Sequence, residues 1–205
     1  QMHKGYDLYN AAVPIGLIAF FLRSLLYKIF TSAPPASENV GLGDSFLALS
    51  LAFCGVVFGL AIIWGLAMGG GRAYGKLLRD SGYNVDYGTK YGSGAAILNF
   101  GVYGLFIVLY YNLIGATFNA VTFGCIFCML ACCCSGSHPG NVWPIMVGYV
   151  AASFLGKWAC VGEAYTQAIN AQAIVVGLCF ANGLSPVAGR YGWWAGILFG
   201  ALHYG

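Results

Sequence analysis

Residues 91–156 read YGSGAAILNFGVYGLFIVLYYNLIGATFNAVTFGCIFCMLACCCSGSHPGNVWPIMVGYVAASFLG, 66 consecutive positions without an Asp, Glu, Lys or Arg. Wound as helix at about 1.5 Å per residue, the stretch would measure roughly 100 Å, near three times a hydrocarbon core of about 30 Å. That much uncharged chain calls for several membrane crossings. Its polar interruptions, Asn99, Asn112, Asn119, His138 and Asn141, sit where a helix facing lipid on all sides carries none. Polar side chains at depth face a protein interior or a watery cavity. The region therefore reads as the lining of a path for a small solute.

Composition agrees. Of 205 residues 60% are hydrophobic and 7% charged, and Gly fills 31 positions, a balance foreign to soluble globular domains. Glycine in this number suits membrane helices that approach backbone to backbone. A net charge of +3 gives no reason to invoke nucleic acid, and the basic residues serve orientation. Most of the 8 cysteines lie inside apolar runs, where a small soft side chain packs well. No metal or other cofactor is expected. The chain opens at Gln1 with polar QMHKGYDLYN and shows no signal peptide, which leaves fragment and whole chain both open.

In order, Ala11–Phe30 is long enough to span, with Arg23 and Lys28 snorkelling from its second half. TSAPPASENVGLGD at 31–44 is a loop. Ser45–Met68 is the clearest single span, without a charge. Gly69–Lys90 carries Arg72, Lys76, Arg79 and Lys90, belongs in the cytoplasm by the positive-inside tendency, and is expected to hold a short interfacial helix. Asp86 precedes the uncharged region among glycines and tyrosines and is the acidic residue placed to act. Gly94–Phe118 and Asn119–Ser135 are each expected to span. Cys125, Cys128 and Cys132 share a stripe of the second, but a lone Cys-x-x-Cys beside His138 is a weak metal signal against packing.

SGSHPGNVWP, residues 135–144, then breaks the pattern, and the apolar run that follows to Gly156 is too short for an ordinary crossing. Such Gly/Pro-interrupted segments point to re-entrant or broken helices lining a cavity, with His138 and Asn141 at the break. The alternative is an exposed loop with a capping Asn. After a charged turn at Lys157–Glu163, Ala164–Gly189 is again uncharged, holds Gln167, Asn170, Gln172 and Asn182, and ends in NGLSPVAG. Asn-Ala, a small aliphatic run with Cys, then Ser and Pro in a Gly-rich break echo the earlier segment, as internal repeats of a transporter would. Trp193 and Trp194 suit an interface belt.

The segments HKGYDLYNAAVPIGLIAFF, SGYNVDYGTKYGSGAAILNFGVYGL, FNAVTFGCIF, SGSHPGNVWPIMVGYV and GLCFANGLSPVAGRYGWWAGILFGALH together resemble a bacterial family of polytopic membrane proteins, domain of unknown function fifteen-seventy-six. The resemblance is to the second of two related halves. It implies functional weight for Asp86, Asn99, Asn119, His138, Asn141, Pro144, Pro186 and Gly189, with Gly5, Tyr9 and Asn10 of the opening motif. Ser137 stands where the family pattern tends to have Lys, and Ala181–Pro186 departs from Thr-Thr-Leu-Ala-Pro.

The expectation is an all-α, polytopic transmembrane bundle in one domain, residues 1–205, with about six spanning or re-entrant segments. It would be one half of an assembly completed by a missing half or a second copy, multi-pass in the bacterial inner membrane with lipid as its surroundings. The leading function is a transporter or channel-like protein for a small polar solute or ion, not an enzyme. Asp86, Asn99, Asn119, His138, Asn141 and Asn182 are the solute-path candidates. A non-transporting structural subunit of a membrane complex is the alternative, and a membrane redox or metal protein ranks below it. No nucleophile, base and orienting acid fall in catalytic spacing.

Overall fold

The computed structural model describes residues 41–159 and 167–204, with Leu22 and Leu25 besides. The expected span Ala11–Phe30, apart from those two leucines, the opening motif with Gly5, Tyr9 and Asn10, and most of the turn after Gly156 lie outside the described residues. Within them the fold is all-α. The helices in order are α1 (Asp44–Ala67), α2 (Gly71–Leu77), α3 (Tyr87–Tyr91), α4 (Ser93–Leu113), α5 (Ala120–Leu130), α6 (Pro139–Ala159), α7 (Gln172–Ala181), α8 (Ser185–Tyr191) and α9 (Trp193–Tyr204), with a 3-10 turn Asn182–Leu184 between α7 and α8. Three stretches, Phe46–Ala67, Ser93–Leu113 and Gln172–Tyr191, are long and apolar enough to cross a membrane.

α4 is the central element. Asn99, Tyr103, Ile107 and Tyr111 recur every fourth residue and are all fully buried, so one stripe of the helix faces inward. They meet Ile126 and Met129 of α5, Ile145 and Tyr149 of α6, and Leu178 of α7 in the main core. Another face of α4 receives α1 in antiparallel contact. A Cβ at Gly101 would lie 2.6 Å from the Phe58 oxygen, and one at Gly65 would lie 2.7 Å from the Leu98 nitrogen, so these glycines let the two backbones touch. Beyond that seam α1 exposes Phe46, Phe53, Leu60 and Trp64, the side chains expected of a helix turned toward lipid. α2 follows through Gly69 and Gly70, buries Tyr74 and Leu77 and leaves Arg72 and Lys76 exposed.

Two expectations need correction. The segment after SGSHP is not a short apolar piece, because α6 continues through Lys157 to Ala159 for 21 residues with Pro144 inside it. Its first turn is built by the break itself. Conversely, the helix expected across Asn119–Ser135 stops at Leu130 after 11 residues, about 16 Å at the helical rise. The Cys132–Ser137 turns that follow end it. NGLSPVAG, the Gly-rich break, stays helical. Asn182–Leu184 tightens to a 3-10 turn and the chain resumes as α8, so the break is a local change of pitch.

The structure also brings out a repeat at an offset of one hundred residues. Lys90-Tyr91-Gly92 and Ala95 through Leu98 match Arg190-Tyr191-Gly192 and Ala195 through Leu198. Gly92 and Gly192 both have positive φ, +87° and +98°. Each donates its N–H to the helix behind it, to Gly88 O at 3.0 Å and Ala188 O at 2.9 Å, and each accepts at 3.1 Å from the alanine three residues on. Related sequence thus builds the same joint twice, α3 into α4 and α8 into α9. α9 runs parallel to α6, its Gly196 against Pro144 and its Gly200 against Ile145.

Candidate functional site

The polar side chains gather where α5 and α7 end. The turn after α5 winds tightly, with Cys133 N–H on Leu130 O at 3.0 Å and Ser137 N–H on Cys132 O at 3.0 Å. It is closed by Asn141 from the first turn of α6. Asn141 Oδ1 accepts from His138 N–H at 3.0 Å, and its Nδ2 donates to Gly136 O at 2.7 Å, so a single amide serves as a helix cap. Asn99 reaches this turn from α4, its Nδ2 donating to Cys133 O at 2.7 Å and Ser137 O at 2.9 Å. One helical turn further on, Tyr103 OH donates to Asn182 Oδ1 at 2.5 Å, and Asn182 Nδ2 donates to Met129 O at 3.2 Å. The two turns touch directly through Ser137 Oγ and Ser185 Oγ, 2.9 Å apart.

The loop 80–86 lies over this junction. Gly140 N–H donates to His138 Nδ1 at 3.0 Å, which makes Nε2 the protonated nitrogen, and Nε2 donates to Asp80 O at 3.0 Å. The imidazole is therefore neutral and engaged at both nitrogens. Gly82 and Gly136 face each other so closely that a Cβ on Gly82 would stand 2.1 Å from Gly136 O. Gly189 meets Ser81 in the same way. The loop is fastened by cations at matching repeat positions: Lys90 Nζ is 2.6 Å from the Asp80 carboxylate, and the Arg190 guanidinium lies 4.4 Å from the centre of the Tyr83 ring. Burial works against the Asp80 charge, but hydrogen bonds from Lys90, Tyr91 and Gly82 outweigh it and hold the carboxyl below its usual pKa.

Of the residues expected to line a path, Asn99, His138, Asn141 and Asn182 come together and are all buried. Asn119 sits at the far end of α5, where it caps the helix through Thr122 N–H at 3.0 Å and donates to Gln172 Oε1 at 2.6 Å. Asp86 lies at the surface. It caps α3, accepting from Gly88 N–H at 2.8 Å and Thr89 N–H at 3.2 Å, and these bonds, those from Thr89 first, lower its pKa. Sequence reasoning missed Ser137 and Ser185 as partners, Tyr103 as a polar contact and Asp80 as the anchored carboxylate. The serine of each Ser-Pro or Ser-His-Pro break was the available signal, since both breaks carry one. Cys125 is buried and Cys128 exposed, and no three His, Cys, Asp or Glu side chains converge among the described residues.

Among the side chains of this junction one atom is left over. Asn99 is fully buried, yet its Oδ1 has no hydrogen-bond partner. The amide cannot be turned to repair this, because the two carbonyls bound by Nδ2 would then face an oxygen. An unsatisfied buried acceptor costs roughly 1–3 kcal/mol, and it marks a place where a donor is wanted. The model of a family described as Protein of unknown function (DUF1576) matches residues 71–205, which contain this whole junction. No curated protein and no solved structure matches the chain.

Proposed function

The chain belongs to this family of unknown function, and we propose from the geometry above that it is a multi-pass transporter or channel-like protein of the bacterial inner membrane, acting on a small polar solute or ion. The supporting observation is the unpartnered Asn99 oxygen at a buried polar junction between helix ends, among stretches long and apolar enough to span. Interrupted helices whose backbone groups face inward are how a solute is met in lipid without formal charge. In this reading the loop 80–86 covers one approach to the junction. Purified chain in proteoliposomes is expected to pass at least one member of a panel of alkali ions, ammonium, urea, glycerol and small amino acids faster than empty vesicles. Asn99→Leu should abolish that flux while the protein stays folded. Flux indistinguishable from empty vesicles across the panel would count against transport.

A second reading is favoured by the way the other amides are used. Asn119 and Asn141 act as caps, and Asn182 is bonded at both ends of its amide. A structural subunit of a membrane complex needs no more than this. It predicts no flux, and an Asn99→Leu protein destabilised by the loss of the two bonds to Cys133 O and Ser137 O.

A further inference from the structure

We propose that Asn99 Oδ1 is a ligand to a small monovalent cation, an alkali ion or ammonium, held where the two serine-bearing turns meet. The proposal takes the junction to be the solute-binding point of the transport reading and names the class of solute.

The donor and acceptor inventory decides the sign of the ligand. The donors around Asn99 are taken up locally: His138 N–H by Asn141 Oδ1, Gly140 N–H by His138 Nδ1, Ser137 N–H by Cys132 O, Tyr103 OH by Asn182 Oδ1 and the Asn99 amide hydrogens by Cys133 O and Ser137 O. What is left is acceptor capacity. Asn99 Oδ1 has no partner, and the carbonyls of Cys133 and Ser137 retain a second lone pair each. An anion at Asn99 Oδ1 would meet these oxygens, with one hydroxyl proton of the Ser137–Ser185 pair left over nearby. A ligand that donates or carries positive charge is the one this surroundings can hold.

The field agrees with that sign. α5, with 11 residues, directs its C-terminal end toward the junction, and helix C-termini favour cations. α6 presents its N-terminus to the same region, but its first N–H groups are capped as above. Among the described residues no carboxylate completes the site: Asp80 binds Lys90 and Tyr91, and Asp86 caps α3. Neutral oxygens without a carboxylate suit a singly charged ion, since Ca²⁺ and Mg²⁺ sites draw on carboxylates or keep their waters.

The test uses purified full chain in nanodiscs with choline chloride as background salt, replaced at constant ionic strength by NaCl, KCl or NH₄Cl. Thermal unfolding is expected to shift upward by about 4 °C for at least one of these at ten times its Kd. Asn99→Leu should abolish the shift. If Asn99→Leu does not fold, Asn99→Gln, which keeps an amide but displaces its oxygen, and Ser185→Ala carry the comparison, each expected to move the apparent Kd at least threefold. No cation-specific shift in the wild type, as a buried water on Oδ1 would give, overturns the site, as does a shift unchanged in every variant. Flux of an uncharged solute without a cation shift overturns the cation site and leaves transport standing. A cation shift without flux supports the site and removes transport.

Discussion

Replacing Gly82 by alanine tests how loop 80–86 is seated, because Gly69 supplies a control with the same backbone. Their φ values are +75° and +74°, so alanine in that conformation costs each about 1 kcal/mol. A Cβ at Gly69 meets nothing within 4 Å, whereas one at Gly82 would stand 2.1 Å from Gly136 O and 2.8 Å from Asn141 Nδ2. Restoring ordinary contact means moving loop and turn apart by about 1 Å or more. The buried bonds to Gly136 O from Tyr87 OH at 2.9 Å and Asn141 Nδ2 at 2.7 Å do not survive that movement. At about 1 kcal/mol for each bond, Gly82→Ala should cost about 3 kcal/mol and Gly69→Ala about 1. For a chain of this size that is a fall in Tm of about 9 °C against about 3 °C, measurable by tryptophan fluorescence on heating in one detergent. Equal falls for the two variants would refute the claim that the Gly82–Gly136 contact seats the loop.

Asp80 carries a pH signature. Its pKa is lowered in the fold, so its contribution is present above the unfolded value of about 3.9 and is lost as pH falls through the lower folded value. The stability gap between wild type and Asp80→Asn should therefore be flat from about pH 5 to 8 and close below about pH 4; a gap that closes near neutrality would contradict the pairing of Asp80 with Lys90 and Tyr91. Two tyrosine hydroxyls should respond oppositely. Tyr103→Phe strands the buried Asn182 Oδ1 and should cost about 1–3 kcal/mol, while Tyr74 OH is buried without a partner and Tyr74→Phe should be neutral or stabilising by up to about 1 kcal/mol. Matched unfolding curves of the two variants decide this, and equal losses would overturn it.

What could be read in the sequence followed from length and composition. Ser45–Met68 became α1 and Gly94–Phe118 became α4 within a few residues, because an unbroken apolar run fixes a helix whatever surrounds it. The cations of 72–79 fell on and just after a short helix for the same local reason. Ends were less legible. α5 stops at Leu130 because Cys132–Ser137 turn to meet Asn99, 34 residues or more away in the chain, and nothing in ACCCS signals a stop. α6 passes Lys157 because a charge near a helix end does not terminate it. The four polar residues that gather were visible as anomalies in apolar text, but their partners were mostly backbone carbonyls, to which every residue type contributes alike. Of the residues in the two echoing breaks, Asn119 bonds Gln172 and Ser137 faces Ser185. The hundred-residue match was in plain view in KYG and RYG, and two three-letter words carry no weight until the joints are superimposable.

The two joints also differ in one respect that fixes where chemistry can occur. At the positions one hundred apart, Asn99 in α4 answers to Phe199 in α9, and Ser93-Gly94 answers to Trp193-Trp194. The first member of each comparison turns toward the protein interior at Asn99, while Phe199, Trp193 and Trp194 are exposed. Symmetry of the backbone is thus broken in the side chains. A duplicated joint here presents one buried amide, so a ligand at Asn99 has no counterpart at Phe199.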